Sequence, residues 1–159
     1  MERRLKSPES IEEKLIRYGK EVSISSAKEN IFDIAGIRVV CNFIDDVYAM
    51  ADMMLEQNDV RLIMKKDYIE SPKPNGYRSL HLVIAVPVFL LNGCEYVPVE
   101  VQIRTVAMDF WASLEHQLRY KKEKELSPQV HQELKACAEA SAILDKRMQL
   151  LFDEISKPE

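Results

Sequence analysis

The stretch SLHLVIAVPVFLLNGCEYVPVEVQIRT, residues 79–105, reads as two long β-rich runs around Leu91-Asn92-Gly93. An Asn-Gly pair between two such runs is a strong hairpin signal, because both residues tolerate the backbone angles that tight hairpin turns require. Side chains alternate faces along a strand, so Glu100, Gln102 and Arg104 point one way while Val99, Val101 and Ile103 point the other. The apolar row is core. The polar row, on this strand alone, fits a solvated outer face as well as a site. His81 interrupts the first run in the same manner, between Leu80 and Leu82, and hairpin pairing can align such polar positions on one surface.

Working outward, IRVVCNF (37–43) is apolar and β-branched enough for a buried strand, and DDVYAMADMMLEQ (45–57) opens with acids and repeats apolar residues at helical spacing. VRLIMKKDYI (60–69) is a further strand. The spacing predicts helices over 106–122, where Trp111, Leu114 and Leu118 read as core, and over 127–156, rich in Ala, Leu, Glu and Lys. Ser7-Pro8-Glu9 reads as a cap, a first-turn proline and a first-turn acid, which starts a helix running to about Gly19. The Ser-rich stretch 21–30 reads as a mobile loop. The order helix, strand, helix, three strands, two helices is not a βαβα alternation. It predicts an α+β fold: a mixed, largely antiparallel sheet with flanking helices.

The 159 residues fit a single domain over 1–159, with a C-terminal helical segment at 123–159 that carries no motif. No apolar run approaches the roughly 20 residues that cross a bilayer, and MERRLKSPES lacks the apolar core of a secretory leader, so a cytoplasmic protein is expected. Cys41, Cys94 and Cys137 form neither a disulfide framework nor a zinc motif. A net charge of −4 argues against duplex nucleic acid as a partner. Yet Arg3, Arg4, Lys6, Lys14, Arg17 and Lys20 crowd the first twenty residues, a pattern that suits a small polyanion. With few apolar residues to pin it, this basic segment is expected to be loosely held until such a ligand supplies counter-charge.

Two places carry chemistry beyond what folding needs. The loop SPKPNGYRSLH (71–81) holds Lys73, Asn75, Tyr77, Arg78 and His81 beside its turn-forming Pro and Gly. Asp33 lies just before the 37–43 strand, in FDIAGIRV, where Gly36 can admit a close approach and Arg38 follows. Alone, Asp33 is an ordinary turn residue. Together with Glu100 it would suit a hard cation such as magnesium, which takes a few carboxylates plus phosphate oxygens. No P-loop, GxGxxG or HExxH pattern occurs, so bound phosphate would fall to scattered Arg and Lys side chains.

These residues match a known pattern. R-x-K-S-x-x-S-I-x-x-K (4–14), D-I-A-G-I-R-V (33–39), K-P-N-G-Y-R-S-L-H (73–81), E-V-Q-I-R-T (100–105) and M-x-F-W-x-x-x-E-H-x-L-x-Y-K (108–121) together resemble the synthetase domain of the RelA/SpoT family. The length is similar to that of the small alarmone synthetases. The resemblance implies a nucleotidyltransferase-like synthetase fold that, in the stringent response, transfers pyrophosphate from ATP to the 3′-hydroxyl of GTP or GDP, giving (p)ppGpp and AMP.

Carried over, the resemblance implies that Arg4 and Arg38 sandwich the adenine, and that Lys6, Ser10 and Lys14, with Lys66, hold the ATP phosphates. Asp33 and Glu100 become the catalytic acids and the Mg2+ ligands, and Glu100 the base for the attacking hydroxyl. Tyr77 would stack on guanine, while Lys73, Asn75, His81, Gln102 and Arg104 meet the acceptor nucleotide and Glu115 acts as a supporting carboxylate. Relatives of this type assemble as tetramers and carry an N-terminal helical segment before the Arg-x-Lys motif. This chain opens on that motif, so the segment is expected to be missing, although a homo-oligomer is still expected. The competing readings are a catalytically weakened guanine-nucleotide-binding module of the same fold and another magnesium-dependent nucleotidyltransferase.

Overall fold

A computed structural model of the chain describes residues 1–120 and 126–157. The elements in order are β1 (Glu2–Leu5), α1 (Pro8–Arg17), α2 (Ile24–Asn30), β2 (Ala35–Cys41), α3 (Ile44–Leu55), β3 (Arg61–Asp67), β4 (Leu80–Leu90), β5 (Gly93–Thr105), α4 (Val106–Tyr120) and α5 (Pro128–Ile155). The strands form one mostly antiparallel sheet in the order β1-β2-β5-β4-β3, the α+β class that the sequence predicts. No helix among the described residues is long and apolar enough to cross a membrane. The predicted end of α4 at Lys121 and Lys122 lies outside the described residues. Two compact units divide the chain.

The first unit comprises Met1–Val39, Asp52–Lys65 and His81–Gln102. The hairpin of β4 and β5 turns through Leu91 and Asn92 at negative φ, and Gly93 follows at φ +130°, where a side chain would be strained. Leu82, Val83, Ile84 and Ala85 are buried in succession, which requires cover on both faces of β4. Helix α1 starts as expected, with the Ser7 hydroxyl accepting the Ser10 amide at 3.3 Å. Its buried Leu15 packs with Ala27 and Ile31.

Two elements here depart from the sequence reading. The 21–30 stretch is not a mobile loop: Ser23 caps α2, accepting the Ser26 amide at 3.2 Å, and Ala27 anchors the helix to α1. The basic N-terminus is already held as an edge strand, β1, with Glu2 opposite Arg38 and Arg4 opposite Gly36 in antiparallel register. Backbone pairing supplies what apolar contacts do not. Gly36 is not needed for close approach, since a Cβ there would lie 3.8 Å from its nearest neighbours, in ordinary contact.

The second unit comprises Val40–Ala51, Lys66–Leu80 and the chain from Ile103 onward. Helix α5 starts at a Ser127 cap with Pro128 in its first turn and packs on α4. Trp111, Ala112 and Ala138 form the apolar contact between the two helices, joined by Tyr77 and Leu134. The Trp111 indole donates to the Leu134 carbonyl at 2.9 Å. Leu114 and Leu118, read as core with Trp111, are instead 42% and 47% exposed, because they fall beyond the stripe of α4 that faces α5.

Candidate active site

In the first unit, the turn before β2 places Asp33 where two lysines reach it. Lys14 Nζ on α1 lies 2.7 Å from one carboxylate oxygen, and Lys6 Nζ lies 3.1 Å from the other. Lys6 is held there by its own amide, which donates to the Ile34 carbonyl at 2.8 Å. Partial burial opposes ionisation of Asp33, but the bonds and charges of Lys14 and Lys6 outweigh it and hold the carboxyl below its usual range.

Glu100, on β5, has its own polar shell. His81 Nδ1 is 3.4 Å from one carboxylate oxygen, and the Gln102 amide donates to the other at 2.9 Å. The bond with His81 lowers the Glu100 pKa most. Burial works against this, Gln102 adds to it, and the Asp33 charge pushes the other way, leaving a net downward shift. Both acids are therefore ionised at neutral pH, and they repel each other.

Asp33 and Glu100 line one open cavity of about 310 Å³ with Arg4, Lys6, Gly36 and Arg38. The β1–β2 register puts Arg4 opposite Gly36, and Arg38 follows Gly36 on the same face of β2. Two guanidiniums thus flank a position that has no side chain. Arg38 also pairs with Glu2 at 3.2 Å. The donor set suits a divalent cation: two mutually repelling carboxylates on one cavity. Among the described residues no group of three or more His, Cys, Asp or Glu forms, so a cation there would draw its other ligands from phosphate and water.

The second unit holds the 71–79 loop. The Gly76 amide donates to the Lys73 carbonyl at 2.8 Å, closing a tight turn, and Asn75 Oδ1 accepts the Tyr77 amide at 3.2 Å. Gly76 sits at φ +90°, and a Cβ on it would come within 2.5 Å of the Ala138 Cβ, so only glycine fits. Tyr77 is fixed at its phenol, which accepts from Arg104 at 2.7 Å. Arg104 in turn reaches Asp109 at 3.2 Å. Lys73 Nζ lies over the rings of both Tyr68 and Tyr77, at 4.6 and 4.7 Å. Asn75 Nδ2 also lies 3.4 Å from Glu115, which pairs with Arg119.

The residues singled out in sequence thus fall into two groups. Asp33, Glu100, Arg4, Lys6 and Arg38 line one cavity, with Lys14 on Asp33 and with His81 and Gln102 on Glu100. Lys73, Asn75, Tyr77, Arg104 and Glu115 form a second cluster. Of the other expected phosphate ligands, Ser10 is engaged with the Ser7 cap, and Lys66 is exposed on β3, in the second unit. Arg104 is buried, not solvated as an outer-face residue would be. Sequence reasoning missed Tyr68 and Asp109. Asp109 occupies an unassigned position of the 108–121 motif, and its spacing of five from Arg104 was the available signal.

A family model described as the region found in RelA / SpoT proteins matches residues 3–125. This chain belongs to the RelA/SpoT family. Within that family it is 52% identical over 145 residues to the GTP pyrophosphokinase YwaC of Bacillus subtilis, covering 91% of this chain and 69% of that protein. It is 39% identical over 129 residues to the GTP pyrophosphokinase YjbM of the same organism, covering 81% of this chain and 61% of that one. The crystal structure of small alarmone synthetase 1 from B. subtilis bound to its product pppGpp superimposes with a TM-score of 0.89 at 36% identity, covering 98% of this chain and 79% of that one. Small alarmone synthetase 2 from the same organism gives 0.87 at 48% identity, over 96% and 79%. The structure of small alarmone synthetase 1 bound to AMPCPP gives 0.79 at 32% identity, over 99% and 78%.

Proposed function

We propose that this chain is a GTP pyrophosphokinase that makes (p)ppGpp, the role its family plays in the stringent response. One observation carries the reading: two ionised carboxylates share a cavity with Lys6 and a pair of guanidiniums flanking Gly36, and Lys14 pairs with one of those carboxylates. A flat base fits between Arg4 and Arg38, and the triphosphate takes Lys6 and Lys14 as partners. The acceptor GTP or GDP stacks on Tyr77, with Lys73, Asn75 and Arg104 holding its polar groups and His81 and Gln102 steadying Glu100. The printed ligands of the two synthetase 1 structures, pppGpp and AMPCPP, support nucleotides as substrates.

In the reaction the acceptor 3′-oxygen bonds to the β-phosphorus of ATP, the bond from that phosphorus to the α–β bridging oxygen breaks, and AMP leaves. Glu100 takes the hydroxyl proton. Its lowered pKa keeps it ionised for that purpose at neutral pH. Asp33 and Glu100 would hold Mg2+, which when bound offsets the charge on the phosphate oxygens. Self-association belongs to the same reading, with the exposed Ile143, Leu144, Leu150 and Leu151 of α5 as the apolar surface available for it. The test is thin-layer chromatography of labelled ATP incubated with GDP and magnesium. A labelled spot running as ppGpp is expected; a different labelled product, or none, would sink the assignment.

A further inference from the structure

We propose that Asp145, on α5, is a positioning residue for the acceptor loop, acting through Arg78 and Thr105 on the two chain segments that hold Tyr77. The inference rests on the assignment of that loop to the guanine nucleotide.

Asp145 is only 6% exposed. An isolated carboxylate at such a place is costly, and burial does raise its pKa, against the Thr105 bond and the Arg78 charge, which favour the ionised form. Two partners explain its tolerance. Thr105, fully buried, donates its hydroxyl to Asp145 at 2.6 Å, and the same hydroxyl accepts the Met108 amide at 3.2 Å. Thr105 thereby caps the first turn of α4. It immediately follows Arg104, whose guanidinium spans from Asp109 on that same turn to the Tyr77 phenol. Fixing the Thr105 rotamer therefore fixes the turn that aims Arg104.

The second partner works from the loop side. Arg78 is the residue after Tyr77. It donates to the Ile69 carbonyl at 3.0 Å, closing the base of the loop, and it lines with Asp145 a cavity of about 370 Å³, near enough for its charge to favour the ionised carboxylate. One carboxylate thus braces both routes to the Tyr77 ring: the chain from Ile69 to Arg78, and the strand end at Arg104-Thr105. Nothing in the chemistry of pyrophosphate transfer requires Asp145, so its effect is on geometry alone.

The experiment compares wild type, Asp145→Asn, Arg78→Lys and Ser141→Ala by steady-state kinetics with GDP and ATP, together with calorimetric binding of GDP without ATP. Asp145→Asn keeps the shape and an acceptor for Thr105 but removes the charge. It should raise the KM and Kd for GDP on the order of 5- to 30-fold, the size of coupling seen between groups in one polar network, and leave the KM for ATP within about twofold. Arg78→Lys keeps a cation but loses the geometry of the Ile69 contact, and should show the same acceptor-selective loss. It carries the test if the Asn variant does not fold. Ser141→Ala removes another α5 bond into α4, to the Ala107 carbonyl at 3.1 Å, and should change neither KM. Active wild type with unchanged GDP constants in both loop-bracing variants overturns the inference, as does an equal loss in Ser141→Ala. Wild type that neither binds GDP nor transfers pyrophosphate overturns this inference together with the functional reading beneath it.

Discussion

The cavity of Asp33 and Glu100 and the loop of Tyr77 use cations in opposite ways. In the first, Lys6 and Lys14 reach a carboxylate on long, rotatable stems, and Arg4 stands exposed on an edge strand. In the second, Arg104 is 4% exposed and wedged between Asp109 and the Tyr77 phenol, while Gly76 is packed so tightly on Ala138 that no side chain fits. Long, rotatable stems can transfer their charge to a ligand at little steric cost. A buried guanidinium cannot move without leaving its partners unsatisfied. On the proposed reading, the difference teaches that polyanion binding and base recognition ask for different mechanics: adaptable charge for the one, a fixed plane for the other.

That contrast can be broken most sharply at Glu100. Glu100→Gln keeps the size of the side chain and one accepting oxygen for His81 or Gln102, so it should keep the fold, yet lower turnover at least ~10²-fold by removing the positioned base. Near-normal turnover would take Glu100 out of the mechanism and leave the cavity a binding site only. Next is Gly76→Ala, which should destabilise the protein by about 2 kcal/mol or more, from strain at positive φ and overpacking against Ala138. A stability equal to wild type in urea titration would mean that the loop is as adaptable as the lysines.

Tyr77→Ala should weaken the acceptor ~5- to 100-fold, the stacking energy of a base on an aromatic ring, and barely touch ATP. Tyr77→Phe removes the Arg104 bond but keeps the ring, so it should cost less than the alanine change. Equal losses for both nucleotides on isothermal titration would erase the division of labour.

The smallest effect concerns acid response, and it should differ in sign between the regions. Asp33 has a lowered pKa, so its stabilising contribution is present above the ordinary carboxylate value and is lost as pH falls through the lowered one. Asp145 has a raised pKa, so its contribution is present below the ordinary value and is lost as pH rises through the raised one. The stability gap between wild type and Asp33→Asn should therefore narrow on acidification, whereas the gap to Asp145→Asn should shift in favour of wild type. Parallel slopes in denaturant titrations from pH 7 to 3 would contradict this.

What the sequence reveals follows from which interactions are local. The hairpin, the Ser7 cap and the α4 and α5 helices are written in neighbouring residues and were legible. β1 was not: Glu2–Leu5 has no apolar alternation, all four side chains are exposed, and its order comes from backbone pairing with β2. α2 was hidden because serines usually signal loops and only Ala27 of the helix is buried. The site was half legible. Asp33, Glu100 and Tyr77 stood out by type and motif, but the pairing of His81 with Glu100 and the buried grip of Arg104 on Tyr77 depend on residues 19 and 27 positions apart, which no local pattern encodes.

The two lysines on Asp33 also bear on how the cavity meets salt. A basic cleft in water gathers small anions, and a polyanion entering it gains by releasing them to bulk, which makes affinity fall steeply as ionic strength rises. Here Lys6 and Lys14 already carry an internal counterion that cannot diffuse away. On the proposed reading, a triphosphate entering this cavity would exchange partners with a tethered carboxylate, and the liberated Asp33 oxygens would turn to whatever cation accompanies it. Less entropy is gained from the solvent in such an exchange, and the lysines meet their ligand already gathered at one point.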